Sequence, residues 1–517
     1  MADFVTSRFN ILVPLRGGRT LAYNGSSAAT AIWDIAESEI YDRVDRGEDV
    51  DPAHETVGDL VRCGFIVPHD TDEVDLLRQQ YETFRNDPRQ MVLTIAPTLA
   101  CNFGCDYCFQ GQDKPHGIMS QRVQDAILEM ASQASRSIKR LHVAWYGGEP
   151  LLALPVIESL SDHLISLCNR SSVAYDAMIV TNGYKLTPQV ARSLYSRQVK
   201  SAQVTIDGAA GYHDQRRSLL GGQPTFARIC ENLKAVLDEV PLRLSVRINI
   251  DVRNFKSIRR VLEHFVSLGL ARRKMFGVYF APVEAITEGC HCVADVCMSK
   301  GDYGSLEAEL TRYAYDLGLA ALPYPPRFRG VCGAVRPKGI VVIPNGDLHK
   351  CWDTVHMGEH KVGSVFDLDA ARVDERANEW RQWSPFENKI CTSCKILPNC
   401  AGSCAHKFIN SDQTRGEAAS LPCPSWKYNI MERLILMAER SGAITAQDYD
   451  PEEIKTDPRK LCAASEAIDF LGPEARDVFR IASHETGQLV QIGVSQQPSS
   501  PQAWNRLDEL LPARCTA

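Results

Sequence analysis

The cysteines of this chain are grouped in two places, and this grouping constrains the fold more than any other feature of the sequence. Cys101, Cys105 and Cys108 form a CxxxCxxC triplet directly after MVLTIAP, an apolar run that predicts a buried strand. An iron–sulfur cluster normally takes four protein thiolates. Three thiolates at this spacing therefore predict a four-iron cluster whose last iron is open to a ligand other than protein. For the triplet alone, the alternatives are a zinc knuckle or three buried thiols.

A second motif, Tyr146-Gly147-Gly148-Glu149, follows the apolar run LHVAW and is followed by a proline. Paired glycines let a backbone approach a ligand closely, and a carboxylate accepts hydrogen bonds from an ammonium group. Together with the triplet, this GGEP sequence resembles the radical S-adenosylmethionine (radical SAM) enzymes. The resemblance implies that the triplet binds a [4Fe-4S] cluster, that SAM chelates its open iron, and that GGEP holds the SAM amino group. It also implies an oxidoreductase that cleaves SAM reductively to a 5'-deoxyadenosyl radical.

Composition excludes other classes of protein. The net charge is -7, so no general basic surface indicates nucleic-acid binding. The first residues lack a signal peptide, and no stretch approaches the ~18 apolar residues of a membrane span. A cytoplasmic location without a membrane partner is therefore expected. In such a reducing compartment the 18 cysteines are not expected to form a disulfide framework, and those that cluster are expected to bind metal. Five cysteines are scattered singly and are expected to be structural or incidental: Cys63, Cys168, Cys230, Cys462 and Cys515.

The second group of cysteines resembles the seven-cysteine SPASM domain, which carries auxiliary clusters in radical SAM enzymes that modify peptides and proteins. Its members are Cys332, Cys351, Cys391, Cys394, Cys400, Cys404 and Cys423. The resemblance implies that Cys332, Cys351 and Cys404 bind auxiliary cluster I and that the other four bind auxiliary cluster II. Cluster I then either has an open position or is completed by a thiol of the segment GCHCVADVC, which contains Cys290, Cys292 and Cys297. The alternative for the whole group is a pair of structural zinc sites.

Six apolar runs alternate with helix-like segments and end in polar or glycine-rich loops, a pattern typical of parallel βα units. The matching fold is α/β, a partial (β/α)6 TIM-like radical SAM barrel over residues 91–310, with its active site at the carboxyl ends of the strands. A cysteine-rich SPASM domain is predicted for residues 311–430 and a helical extension without an assigned role for residues 431–517. Residues 1–90, with a hairpin at Gly17 and Gly18 and three helices, resemble the winged-helix modules that capture leader peptides by strand addition. A plain structural cap is the alternative.

Polar residues at the predicted strand ends are candidate contacts for SAM or substrate. Tyr107 lies within the cysteine triplet, and the others are Thr181, Asn182, Thr205, Asp207, Arg247 and Asn249. Arg247 and Asn249 are two residues apart on one strand, which places them on one face. The alternative for each is a loop cap or an interstrand hydrogen bond.

The resemblance implies an enzyme that abstracts hydrogen from a side chain of a ribosomally made precursor peptide, with a leader and a core, to install a crosslink or another oxidative modification. A low-potential donor such as flavodoxin or ferredoxin would supply the electron. Asp353, in KCWDT, is the candidate base, although related sulfatase maturases carry the aspartate directly after the cysteine and here Trp352 intervenes. The alternatives are an anaerobic sulfatase maturase that forms formylglycine and, from another class, a zinc-stabilised binding protein.

Overall fold

The computed structural model describes residues 3–111, 114–321, 324–369, 374–416 and 422–462. Most of the predicted C-terminal extension, residues 463–517, lies outside the described residues. The strands are β1 Phe4–Thr6, β2 Asn10–Pro14, β3 Thr20–Asn24, β4 Thr30–Trp33, β5 Ile66–Pro68, β6 Gln90–Ile95, β7 Arg140–Trp145, β8 Ala174–Thr181, β9 Val199–Ile206, β10 Arg243–Ile250, β11 Phe276–Pro282, β12 Gly339–Val342, β13 Asp347–His349 and β14 Gly363–Ser364.

Helices connect and cover these strands. They are α1 Ile35–Asp45, α2 Glu55–Arg62, α3 Glu73–Asn86, α4 Gln121–Ser135, α5 Leu154–Arg170, α6 Pro188–Ser196, α7 Ala210–Arg216, α8 Phe226–Glu239, α9 Ile258–Ser267, α10 Lys300–Asp316, α11 Glu375–Gln382, α12 Lys389–Thr392, α13 Leu397–Cys400, α14 Ala405–Ile409 and α15 Trp426–Ser441. Short 3-10 turns include Arg16–Gly18, Pro150–Ala153, Glu288–Val296 and Trp352–Thr354.

The six strands β6 to β11 pair in parallel and in sequence order, which confirms the predicted βα units. On one face of this curved sheet the side chains are apolar and buried under the covering helices, whereas on the other face polar side chains such as Gln203, Thr205 and Arg247 alternate with them. The carboxyl ends of all six strands therefore lie along one rim. The loop after β6 carries the cysteine triplet, and the loop after β7 carries GGEP.

A strand from the C-terminal cysteine-rich region extends this sheet. β12 pairs in parallel with β6, so that Gly339 lies opposite Val92, and β13 and β14 follow as antiparallel strands. Cys351 comes two residues after β13. The predicted boundary at residue 310 thus divides the sequence but not the sheet, and Cys351 lies just after a strand of the extended sheet.

The N-terminal residues form an antiparallel sheet in the order β2-β3-β4, with the predicted hairpin turning through Gly17 and Gly18 at φ values of +74° and +73°. One face of this sheet packs on α1, α2 and β5. Side chains of the β2–β3 hairpin, including Ile11, Val13 and Tyr23, share a second core with α3 and with residues around Cys391 and Cys394. The N-terminal sheet is therefore packed directly against the cysteine-rich region.

One helical stretch, Pro150–Arg170, matches a membrane span by length and composition alone, with a mean hydropathy of 1.4. Its length differs from the expectation that no stretch approaches the ~18 apolar residues of a membrane span. Its apolar side chains Ile157, Leu160 and Leu164 are buried in the barrel core. The hydropathy of this stretch is accounted for by its packing in the core.

Candidate active site

A cavity of about 260 Å³ opens at the carboxyl ends of the parallel strands. It brings together residues from every predicted motif of the barrel. The predicted residues in its wall are Cys101, Cys105, Tyr107, Cys108, Tyr146, Gly147, Gly148, Thr181, Asn182, Thr205, Arg247, Asn249 and Asp353. Two predicted contacts, Glu149 and Asp207, are fully buried and do not line the cavity.

The cysteine loop is held from one side by the segment after α7. Gly104 N donates to Ser218 O over 3.1 Å and Leu220 N donates to Asn102 O over 3.0 Å. Arg216 donates to Asp106 over 3.1 Å and to the buried Asp251 over 2.8 Å. These contacts fix the backbone that carries the three thiols before any cofactor binds.

Burial raises the pKa values of two of the three triplet thiols, that of Cys105 to about 12. A buried thiol in this state is inert, and a coordinated metal is what deprotonates it. Lys114 adds a cation beside the thiols: burial works against its charged form, but the Cys108 and Cys101 thiolates raise its pKa. A donor set of three partly buried thiols next to a cation fits an anionic iron–sulfur cluster.

The two glycines of GGEP are required by close contact with the cysteine loop. A Cβ on Gly147 would lie 2.2 Å from Thr98 O, and one on Gly148 would lie 2.2 Å from Leu99 O and 2.3 Å from Ala100 O. Gly147 also has a φ of +131°, which disfavours any residue with a side chain. The lack of side chains at Gly147 and Gly148 therefore lets the loop after β7 pack directly against the residues just before Cys101.

Glu149 ties neighbouring loops together. Its carboxylate accepts hydrogen bonds from Asn182 N at 2.7 Å, Thr181 Oγ1 at 2.8 Å and Leu151 N at 3.0 Å. Burial raises its pKa even though these bonds favour the charged form. In this structure Glu149 positions the ends of β7 and β8, and the cavity wall there is made by Gly147 and Gly148.

Asp207 belongs to a buried network beneath the cavity. It accepts a hydrogen bond from Tyr107 Oη at 2.9 Å and lies 4.0 Å from the Arg217 guanidinium. Asn249 donates to Tyr107 Oη over 3.1 Å, and Arg247 donates to Asn249 over 2.7 Å. The last bond agrees with the prediction that Arg247 and Asn249 share one strand face.

Arg217 lines the cavity but was not identified from the sequence. Its side chain is 8% exposed, its Nη1 donates to Tyr107 Oη over 2.5 Å, and its Nε has no hydrogen-bond partner among the described residues. The feature of the sequence that could have indicated Arg217 is the pair of adjacent arginines, Arg216 and Arg217, at the end of a short polar segment. A buried arginine with a spare donor is suited to binding a carboxylate.

Glu284, another cavity residue missed by the sequence analysis, follows β11. It forms ion pairs with Lys300 and Lys407. Burial opposes its ionisation, yet the two ammonium groups lower its pKa. This buried triad connects the cavity to the peptide segment that carries Cys404.

Asp353 and Trp352 both line the cavity, although the sequence left open which faces two adjacent residues would take. The Trp352 ring stacks on Tyr146 with centroids 4.7 Å apart and an interplanar angle of 26°. The Asp353 carboxylate accepts a contact from the Cys351 thiol at 3.6 Å. The 3-10 turn after Cys351 thus presents both side chains to the same space.

The three cysteines assigned to cluster I lie in one electrostatic neighbourhood. Burial raises the pKa values of Cys332, Cys351 and Cys404, and the charge of Asp353 raises each of them further.

The segment considered for completing cluster I packs elsewhere. Within the described part of the chain, the thiols of Cys290, Cys292 and Cys297 donate to backbone oxygens of Thr287, Asp106 and Val293, not to the three cysteines of cluster I. Cys290 and Cys297 share a small core with Tyr107 and Phe109.

The four cysteines assigned to cluster II surround a second, smaller cavity together with Lys427. Cys462, one of the singly placed cysteines expected to be structural or incidental, lies next to them: it forms a β-bridge with Cys394, and its thiol is 3.1 Å from Ser393 Oγ. Because Cys462 is far in sequence from the other cysteines, its place beside them could not be predicted.

Within the residues that the structure describes, no three His, Cys, Asp or Glu side chains converge closely enough to hold one metal ion.

Comparison with known proteins agrees with this geometry. A family model described as the Radical SAM superfamily matches residues 95–265. A serine-type anaerobic sulfatase-maturating enzyme of Klebsiella aerogenes is 22% identical over 355 residues, which cover 63% of this chain and 84% of the relative. The mycofactocin maturase MftC of Mycolicibacterium smegmatis is 26% identical over 350 residues, which cover 65% of this chain and 83% of the relative.

Among solved structures, native anSMEcpe with bound AdoMet has a TM-score of 0.53 and 16% sequence identity to this chain. The match covers 68% of this chain and 97% of that one. At this identity the likeness supports the fold.

Proposed function

We propose a peptide-modifying reaction for this chain, from the premise that it is a radical SAM enzyme homologous to sulfatase maturases and mycofactocin maturases. In this reaction a hydrogen is abstracted from a side chain of a bound peptide, and a crosslink or another oxidative modification is installed. The observation that carries the proposal is the single cavity lined by the cysteine triplet, the glycine pair and Asp353. When bound at Cys101, Cys105 and Cys108, the [4Fe-4S] cluster together with SAM supplies the adenosyl radical.

The chain's own residues bind and orient SAM. The backbone at Gly147 and Gly148 faces the cavity beside the triplet and offers its carbonyl oxygens to the SAM amino group. Asn182, Thr205 and Asn249 present hydrogen-bonding side chains to the ribose or the substrate.

Arg217 is assigned to the SAM carboxylate because it is a buried cation beside Cys105 with an unused donor. A charge-assisted hydrogen bond contributes about 1.5–3 kcal/mol, so Arg217→Gln is expected to weaken SAM binding roughly 10- to 100-fold. Equilibrium dialysis of the reconstituted protein with labelled SAM measures this change. Arg228→Gln, an exposed arginine on α8, is the matched control and is expected to bind as the wild type does. Equal affinities of all three proteins would contradict the assignment.

Asp353 is assigned the role of base. It lies at the cavity wall next to Cys351, where it can accept the proton that the substrate loses during oxidation. The stacked rings of Trp352 and Tyr146 provide an apolar wall on which a substrate side chain can pack.

The seven cysteines of the C-terminal region are proposed to hold two auxiliary iron–sulfur clusters, with Cys332, Cys351 and Cys404 on cluster I and Cys391, Cys394, Cys400 and Cys423 on cluster II. Cluster I then receives three thiolates from the protein and retains a position that a substrate thiolate can take. The grouping of the thiols around two separate sites supports this division.

The proposed substrate is a ribosomally made precursor peptide. Its leader would add as a strand to β4, which among the described residues pairs only with β3 and has a second edge available. A flavodoxin- or ferredoxin-type donor would supply the electron, and a cytoplasmic location is consistent with both partners.

Sulfatase maturation is the second candidate function, and a specific observation favours it: Asp353 reaches the cavity despite the offset in sequence. The two reactions differ in their products. Oxidation of serine to formylglycine creates an aldehyde that reacts with hydrazides, whereas a crosslink does not.

An anaerobic assay tests the proposed function and the role of Asp353 together. A short peptide encoded beside the gene is incubated with the reconstituted enzyme, SAM and dithionite, and 5'-deoxyadenosine and peptide mass are measured. The wild type is expected to give a peptide lighter by two hydrogens that does not react with a hydrazide probe. A hydrazide-reactive product from a sulfatase-derived peptide alone would instead support the second candidate.

Loss of the base separates SAM cleavage from product formation. Asp353→Asn is expected to retain 5'-deoxyadenosine formation while lowering the rate of peptide modification by about 10²- to 10⁴-fold. Asp295→Asn, at an exposed aspartate outside the cavity wall, serves as the control and is expected to act like the wild type. Wild-type modification rates in Asp353→Asn would refute its role as the base.

A further inference from the structure

A buried lysine shares the second cysteine site. Lys427 lies in the first turn of α15, its residue is 0% exposed, and it lines the same small cavity as Cys391, Cys394, Cys400 and Cys423. The rest of the wall is mostly apolar, with Ile390, Leu397 and Phe408 among its residues. Transfer of an ammonium group into such surroundings is costly unless an opposite charge accompanies it.

The thiols provide that opposite charge. Four thiols line the cavity beside Lys427, and thiolates that coordinate an iron–sulfur cluster are negatively charged. All four are residues assigned to cluster II, and none is a residue of cluster I. The cation is therefore placed specifically beside one of the two auxiliary sites.

We propose that Lys427 is a positioning residue that acts as the counter-ion of auxiliary cluster II and raises its reduction potential. This inference rests on the proposed assignment of cluster II to the four cysteines. A one-electron reduction adds one negative charge to the cluster, and net charge, hydrogen bonds and solvent exposure set the potential of such clusters. In a poorly solvated site a fixed cation stabilises the reduced form more than it would in water.

This arrangement gives cluster II a role in the reaction. Oxidation of a substrate radical releases one electron, and an oxidised cluster with a raised potential accepts it as the substrate forms its new bond. The substrate loses the electron, cluster II gains it, and Lys427 keeps its proton throughout. Cluster II then serves as an acceptor of electrons that leave the cavity by way of cluster I.

A potentiometric titration followed by electron paramagnetic resonance (EPR) tests the proposal without SAM or peptide. The full chain is reconstituted as wild type, Lys427→Met, Lys427→Arg and Lys395→Met. Lys395 is exposed and adjacent to Cys394, so its replacement removes the same charge at a position where water screens it. The potential of cluster II is expected to fall in Lys427→Met and to stay near the wild-type value in Lys427→Arg and Lys395→Met, while the potential of cluster I is unchanged.

Iron and sulfide analysis of each variant shows whether cluster II is still bound. Loss of cluster II from Lys427→Met with retention in Lys427→Arg also supports a counter-ion, because arginine keeps the positive charge that methionine lacks. An unchanged potential in Lys427→Met, an equal fall in Lys395→Met, or loss of the cluster from both Lys427 variants overturns the proposal. A wild-type chain that binds iron only for the triplet cluster contradicts the auxiliary assignment itself, which is a separate failure.

Discussion

Replacement of Cys105 by alanine is expected to abolish SAM cleavage and to remove about a third of the bound iron, one of three clusters. Among the described residues, Cys105 is one of three cysteines that line the cavity, and burial raises its pKa to about 12. Binding of iron must therefore supply the free energy that deprotonates it. Iron and sulfide per chain, together with 5'-deoxyadenosine formed under dithionite, measure the effect.

Cys230 provides the matched control for this variant. It is 2% exposed on α8 and packs in the barrel core, far in sequence from either group of cysteines. Cys230→Ala is expected to cost about 1 kcal/mol of stability and to leave the iron content and SAM cleavage unchanged. Similar iron loss in both variants would show that the sorting of thiols into ligands and core residues is wrong.

Replacement of Gly148 by alanine is expected to weaken SAM binding strongly. The new Cβ would lie 2.2 Å from Leu99 O and 2.3 Å from Ala100 O, both of which are backbone atoms that cannot swing away. Overpacking typically costs about 1–3 kcal/mol. Here that cost displaces the loop that carries Cys101, so SAM affinity is expected to fall at least about tenfold, the equivalent of 1.4 kcal/mol.

Gly117→Ala is the control for the glycine variant. Gly117 belongs to the same region, since its carbonyl accepts a hydrogen bond from Thr98 Oγ1 at 2.9 Å, but a Cβ there would meet nothing within 4 Å. SAM binding, measured by the change it causes in the EPR spectrum of the reduced cluster, should be retained in Gly117→Ala and strongly reduced in Gly148→Ala. Retention of SAM binding in Gly148→Ala would contradict the structural role of the glycine pair.

The barrel could be predicted because each of its strands is recognisable from a short segment of the sequence. Each of the strands β6 to β11 is a short segment rich in apolar residues that ends in a polar or glycine-rich loop, and these segments alternate with helices as parallel βα units do. β12 has the sequence GIVV, which is too short to stand out, and its pairing with β6 depends on residues almost 250 positions apart. The sequence therefore predicted a boundary where the structure has one continuous sheet.

The site was predictable in its motifs but not in the direction of individual side chains. Glu149 and Asp207 lie in the expected loops, yet their carboxylates turn inward to hydrogen-bond neighbouring elements. Arg217 was missed because its contacts, Tyr107 and Asp207, come from other loops, one of them 110 positions away. Loop residues follow no periodic pattern, so the sequence does not indicate which face they occupy.

The core shared by the N-terminal hairpin and the cluster II region limits how this protein can be recombined with its relatives. Tyr23 on β3 and Ile396 beside the CxxC pair are both buried in that core. In a chimera with a foreign N-terminal segment, the residues of that segment and those of the cluster II region would have to match each other in the shared core. The proposed leader specificity and the proposed auxiliary-cluster assembly are therefore expected to be inherited together, and laboratory exchange of one without the other should produce poorly folded chains.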